Sequence, residues 1–119
     1  MQNKIYDIHE RIYKYVVDVI NYTKKLPNTP QNQIVIKQLV AAVSSVGAND
    51  QEADGADSKK DFIAKYVIAR KECKETVYWL RVSKDTNPEN ATNTQVKEFI
   101  EGGKEIGYII STIIKNAKV

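Results

Sequence analysis

Apolar residues recur in this chain at alternating steps of three and four, and they do so in four separate segments. Ile5, Ile8, Ile12, Tyr15, Val19, Tyr22 and Leu26 form the first series without a break. Such steps average close to one helical turn, so each series draws a stripe down one face of an α-helix. Ile36, Leu39, Val43 and Val46 repeat the pattern, and so do Phe62, Tyr66, Ala69, Cys73, Thr76 and Leu80. The fourth series is Val96, Phe99, Gly103, Ile106, Ile110, Ile113 and Ala117. No segment alternates with the period of two that a half-buried strand requires.

The punctuation agrees with the stripes. In Leu26-Pro27-Asn28-Thr29-Pro30, Thr29 can cap free amides and Pro30 suits the first helical position. Gly55 interrupts the second helix. Ser58-Lys59-Lys60-Asp61 reads as a capping box, with the Ser58 hydroxyl taking an amide and Asp61 reaching back. Asp85 to Asn90 is turn-rich, and Thr92 or Thr94 opens the last helix. The predicted helices cover about residues 4–25, 30–54, 59–84 and 93–117. Long helices with short joints predict an all-α fold, an antiparallel up-down four-helix bundle, as a single domain over residues 1–119. Gly102, Gly103 and Gly107 each cost about 1 kcal/mol of helix propensity against Ala. They predict close approach of a neighbouring helix.

The inventory excludes several chemistries. The chain of 119 residues holds one cysteine, Cys73, and one histidine, His9. A disulfide within the chain and a Cys-based zinc site are thereby excluded. Cys73 lies on the third stripe and reads as an inert apolar side chain. His9 borders the first stripe and reads as a partly buried, hydrogen-bonded residue without partners for proton transfer. Ser44 and Ser45 have no base to activate them. Asp50, Glu52, Asp54 and Asp57 fit no calcium loop. Their expected role is to favour the dipole of the third helix and to meet a basic surface of a neighbouring subunit. No catalytic residue, metal ligand or cofactor is expected, and so no enzyme. No run approaches the ~18 apolar residues of a membrane span, and the polar N-terminus is no signal peptide. A cytoplasmic protein is expected.

Charge is distributed unevenly. The whole chain carries +3. Between Ser58 and Lys84 stand eight basic and three acidic residues, a net of +5. At about 100° per residue, Arg70, Lys74 and Arg81 share one sector, followed by Lys60, Lys71 and Tyr78. No acid falls there. A basic strip beside an aromatic suits phosphate contact, which makes Lys60, Arg70, Lys71, Lys74 and Arg81 the candidate nucleic-acid-binding residues. Ile63 and Val67 share the sector, so a merely solvated face is the alternative reading. Across the same helix, Ala64, Ile68 and Trp79 lie with Glu72 and Glu75, opposite the stripe. An indole there needs a neighbour: either another subunit or the edge of another helix in the same subunit. The first helix has a second apolar set, Tyr6, Tyr13, Val16, Val17 and Ile20, wider than one bundle corner needs. Tyr6, Tyr13, Val17, Ile68, Glu72, Glu75 and Trp79 are therefore the expected oligomer interface, with Lys65 placed to bridge to an acid across it.

Two stretches carry a family resemblance. Gln38 to Asn49 read QLVAAVSSVGAN, and Glu52 to Leu80 read EADGADSKKDFIAKYVIARKECKETVYWL. The Gly47-Ala48-Asn49, Ser58-x-x-Asp61-Phe62 and Tyr78-Trp79-Leu80 elements, with Gln38, Leu39, Ser45, Glu52, Ala53, Lys65, Lys71, Glu72, Glu75 and Thr76, resemble a family of small bacterial four-helix-bundle proteins. Its members were first noticed as reading frames within intervening sequences of 23S ribosomal RNA genes. The accessory variability proteins of diversity-generating retroelements are similar in fold. The resemblance implies a homopentameric ring and no known enzymatic activity. For the retroelement relatives it implies binding to nucleic acid and to a reverse transcriptase. The family's usual Arg two residues after the Gln-Leu pair is here Ala41, so any contact made by that Arg is missing. The functional expectation is a non-enzymatic homo-oligomeric scaffold associated with RNA or DNA. The alternative is a protein–protein interaction module, with a reverse transcriptase or another protein as partner and no nucleic-acid binding. Neither reading involves a membrane.

Overall fold

The computed structural model describes residues 7–119 of the chain. Four helices follow in order: α1 (Ile8–Thr23), α2 (Pro30–Asp54), α3 (Lys59–Thr86) and α4 (Asn93–Ala117). Each packs against its neighbours in sequence, and α4 closes onto α1. The result is an all-α four-helix bundle measuring 46 × 32 × 19 Å. Its long dimension is close to the ~42 Å that the 28 residues of α3 span at 1.5 Å each.

The helix ends have local causes. Asp7 caps α1 by accepting from the Glu10 amide at 3.1 Å. The expected start near residue 4, with Ile5, lies outside the described residues. At its other end α1 stops at Thr23 rather than at residue 25. Lys24, Lys25 and Leu26 donate to carbonyls three residues back, at 3.2, 3.0 and 3.3 Å, which tightens the chain ahead of Pro27. Thr29 Oγ1 accepts from the Asn32 amide at 3.1 Å and Pro30 takes the first turn of α2. Ser58 Oγ accepts from the Asp61 amide at 3.0 Å, but among the described hydrogen bonds the Asp61 carboxylate does not reach back, so only half of the capping box forms. α3 runs on to Thr86, beyond the expected Lys84, and Asn87 Nδ2 satisfies the otherwise unpaired Ser83 carbonyl at 2.8 Å. Thr92 makes no side-chain cap. Asn90 Oδ1 instead accepts from the Thr92 amide at 2.7 Å and from its hydroxyl.

Ile12, Val19, Leu39, Val43, Val46, Ala69, Leu80, Val96, Ile106 and Ile110 are all but sealed from solvent. Each fully buried Val, Leu or Ile side chain contributes roughly 1.5–3 kcal/mol. Two stripes are rotated from their expected lines. Val35 is buried where Ile36 was expected, and Ile100 and Ile114 replace Phe99 and Ile113, which are half-buried. A straight helix of 3.6 residues per turn drifts away from a strict seven-residue repeat, and 25-residue α4 is long enough for the drift to matter.

Polar groups within the core are partnered. Asn32 and Asn87 exchange two amide hydrogen bonds at 3.0 Å, and the Tyr22 hydroxyl donates to Ser83 Oγ at 2.8 Å while Ser83 donates to the Leu80 carbonyl at 2.7 Å. Among the described residues no buried side-chain nitrogen or oxygen lacks a partner.

The tightest helix contact is at Gly103. A Cβ there would lie 2.5 Å from the Tyr15 hydroxyl and 2.7 Å from Val77 Cγ2. Cys73 Sγ donates to the Gly103 carbonyl at 3.1 Å. Gly102 is nearly as crowded, with Tyr15 Cε1 at 3.3 Å, whereas a Cβ at Gly107 would meet only Cys73 Sγ at 4.0 Å. The expected close approach thus holds at Gly102 and Gly103 and fails at Gly107, where space is open. Gly103→Ala should destabilise the protein by about 1–3 kcal/mol through overpacking, read as a lowered midpoint in thermal or urea unfolding. Gly107→Ala should match or exceed the wild type because helix propensity improves without a clash.

Candidate nucleic-acid interface

Between α3 and α4 runs a groove of about 710 Å³. Arg70, Lys74 and Arg81 line its α3 side, and Lys104 and Tyr108 line its α4 side. Their positions follow from helix geometry: residues 70, 74 and 81 lie within about 40° of one another at 100° per residue. Gly103 and Gly107 form part of the floor beside Cys73 and Val77. Burial pushes the Cys73 thiol up to about 11, so it remains a neutral floor atom. Tyr78 stands at the rim, 54% exposed, with Tyr108 at 77%.

Toward the start of α4 a second recess shares Arg81 and Lys104 and adds Lys84, Lys97, Asp85 and Glu101. Its two acids are engaged: Asp85 with Lys84 at 3.1 Å and Glu101 with Lys104 at 3.6 Å. Arg70, Lys74 and Arg81 form no ion pair with any described carboxylate. Lys60 and Lys71 are exposed on the outer face of α3 and do not line the groove. The fold therefore gathers three of the five expected phosphate contacts. It adds Lys104 and Tyr108, which the sequence reading missed because nothing local says which face of α4 meets α3.

The expected interface residues are scattered. Tyr6 lies outside the described residues. Tyr13 is 63% exposed, and Val17 and Ile68 are exposed as well. Trp79 departs from expectation: its ring is half-buried and packs against the core of its own subunit. Its Nε1 donates to Glu75 Oε2 at 3.2 Å, and Tyr78 meets it edge-on with ring centres 5.0 Å apart. The face drawn as opposite the core in fact carries Trp79 onto the core and reaches α2 through Lys65. There Lys65 Nζ pairs with Glu52 Oε1 of the same chain at 3.0 Å, so this bridge needs no second subunit. Glu72 is half-buried on that side. Ala41 is exposed on α2.

The largest surprise is Asp50. Expected to favour the α3 dipole and to meet a neighbouring subunit's basic surface, it is 1% exposed. His9 Nδ1 donates to its two oxygens at 3.0 and 2.9 Å, and the Tyr66 hydroxyl donates to Oδ1 at 2.7 Å. His9 Nε2 faces Asp54 Oδ1 at 3.3 Å. The histidine is thus partly buried and hydrogen-bonded as expected, but with acidic partners that the sequence reading did not identify. The hydrogen bond that His9 donates to Asp50 raises the His9 pKa above its usual 6.5, against a smaller opposing effect of burial. The signal was available: continuing the α2 series from Val46 by a step of four lands on Asp50. Close approach of α1 makes the contact possible, since a Cβ on Gly47 would lie 3.0 Å from Val16 Cγ2. Asn49 Nδ2 donates back to the Ser45 carbonyl at 2.9 Å. Among the described residues no group of His, Cys, Asp and Glu is arranged to hold a metal ion, and no helix is long and apolar enough to cross a membrane.

Comparison with known proteins adds two findings. The model of a family described as 23S rRNA-intervening sequence protein matches residues 4–112. A crystal structure of a protein of unknown function from the S23 ribosomal protein family of Bacteroides thetaiotaomicron is similar at TM-score 0.80 and 34% identity, over 91% of this chain and 98% of that one. No curated protein matches.

The His9–Asp50 pair makes stability depend on pH. Because the folded-state pKa of His9 is raised, its contribution is complete below about pH 6.5 and is lost as pH rises through the folded value. The thermal midpoint should fall from pH 6 to pH 8.5. Asp50→Asn keeps an acceptor for Tyr66 and should flatten that slope; an unchanged slope in the variant would assign the dependence elsewhere.

Proposed function

The chain belongs to the 23S rRNA-intervening sequence protein family, and on that premise we propose that it is a non-enzymatic cytoplasmic scaffold. In this reading it assembles as a homo-oligomer and holds nucleic acid along the groove between α3 and α4. The observation that carries the reading is the alignment of Arg70, Lys74 and Arg81 along one wall, without carboxylate partners among the described residues and opposite Lys104. Like charges left side by side repel, and a phosphate backbone laid among them relieves that repulsion while releasing its own counterions.

Self-association supplies what one groove lacks. A few phosphate contacts bind weakly, but copies held together present several grooves to one polymer and gain avidity. The exposed Tyr13, Val17 and Ile68 offer the apolar surface for such contacts. The resemblance implies five copies. Among the described residues that line the groove none pairs a nucleophile with a base, which favours binding over catalysis.

Charge is the first test. Wild-type protein should bind RNA or DNA at low salt with an affinity that falls steeply as salt rises. The triple variant Arg70→Glu, Lys74→Glu, Arg81→Glu should lose binding while light scattering reports the same assembly. Neutral Gln replacements should lower the slope of log affinity against log salt by about 2–3, since each phosphate contact contributes roughly 0.7–0.9. A wild type that retains no nucleic acid at low salt would overturn the reading in favour of a protein-interaction module. Assembly is tested separately. Tyr13→Glu with Ile68→Glu should reduce the mass measured by light scattering, and a monomeric wild type would remove the scaffold. Trp79→Ala is the poorer probe, because truncating a ring packed on its own core lowers subunit stability directly.

A further inference from the structure

The groove has a chemistry more specific than a basic surface, and we infer that it selects single-stranded nucleic acid, stacking unpaired bases on Tyr78 and Tyr108 while its cations hold the phosphates. This inference rests on the nucleic-acid reading above and narrows it.

Three features carry the inference. The first is aromatic placement. Tyr78 on α3 and Tyr108 on α4 line the same groove as Arg70, Lys74, Arg81 and Lys104. Both rings stand well out of the core, at 54% and 77% exposure. Tyr78 rests against Trp79 and still leaves over half its surface open; an open ring face beside several cations does nothing for a duplex, whose bases are already stacked on one another. It offers an unpaired base a face worth a sizeable part of the binding energy.

The second feature is width. The groove lies between two helices in close contact, and packed helix axes stand about 8–10 Å apart. Val77 and Gly103 set that approach. Axes that close leave no gap between the helix bodies, so the groove is a valley between rows of side chains: one flexible strand can lie along it, whereas a rigid duplex would meet mainly its rim.

The third feature is the floor. Gly107 is not required by packing, since a Cβ there would meet nothing nearer than Cys73 Sγ at 4.0 Å. The missing side chain leaves room beside Tyr108. From Arg70 to Arg81 the wall rises about 17 Å at 1.5 Å per residue, enough for about five nucleotides at the 3.4 Å stacked spacing and fewer if the strand is extended.

The test uses the full chain and fluorescently labelled RNA and DNA of about ten nucleotides, each offered single-stranded and as a blunt duplex. Single strands should bind at least tenfold more tightly than duplexes of equal length. Tyr78→Ala and Tyr108→Ala should each weaken single-strand binding about five- to tenfold and leave duplex binding unchanged. Tyr78→Phe should bind as the wild type, because stacking needs the ring and not the hydroxyl. Gly107→Leu, which fills the floor without altering charge, should also lose single strands; circular dichroism and light scattering verify that it remains folded and assembled. Equal affinity for single strands and duplexes, or tyrosine variants that bind like the wild type, would overturn the inference. If the charge-reversal variant still lost binding in that case, the broader nucleic-acid reading would survive. Absence of binding to every probe would end both.

Discussion

Helices α3 and α4 approach as closely as they do because residue 103 has no side chain. Tyr15 from α1 fills the space beneath, donating its hydroxyl to the Phe99 carbonyl at 2.7 Å and meeting the Phe99 ring edge-on. Val77 presses from α3, and Cys73 hydrogen-bonds to the Gly103 carbonyl. One glycine therefore brings three helices together. The approach also decides what lies outside it: the cations of α3 and Lys104 with Tyr108 of α4 become two walls of one groove. With larger residues at that contact the same charges would stand on separate faces.

Polar clusters hold the two ends of the bundle in register. At one end Asn32 and Asn87 exchange amide hydrogen bonds, and Asn32 also donates to the Pro27 carbonyl at 2.8 Å. Eighteen residues along α2, about 27 Å at 1.5 Å per residue, Asp50 collects His9 and Tyr66 from α1 and α3. An apolar stripe tolerates a shift of one turn, because one aliphatic contact resembles another. A buried carboxylate does not, since leaving it unpaired in the core costs several kcal/mol. The seams supply most of the cohesion, and these clusters select one alignment among several that the seams would allow.

Legibility in the sequence followed the range of the interactions. Stripes, Thr29 with Pro30, and Ser58 with the Asp61 amide involve residues a few positions apart, so they can be read directly. Asp50 was misread because its charge was weighed with that of Glu52, Asp54 and Asp57 rather than with its place on the stripe; only His9 and Tyr66, distant in sequence, make that place tenable. Trp79 was misread because a helical wheel gives a direction without a neighbour, and an isolated helix does not reveal that the core lies within reach of that ring. In the candidate site, Arg70, Lys74 and Arg81 were legible as one sector of one helix. Lys104 and Tyr108 were not, since their partner helix is set by packing.

What the sequence alone determined is therefore the number and character of the helices, their joints, the excess of positive charge on the third and the family resemblance, all of which depend on spacing along the chain. Only the tertiary structure decided that this charge faces α4 across an open floor, that Trp79 leans on its own subunit and that Asp50 is buried with a histidine. The physical reason is that burial and pairing depend on which surfaces meet. That choice is made by side-chain volume at a few contacts, Gly103 and Gly47 above all, between residues far apart in sequence.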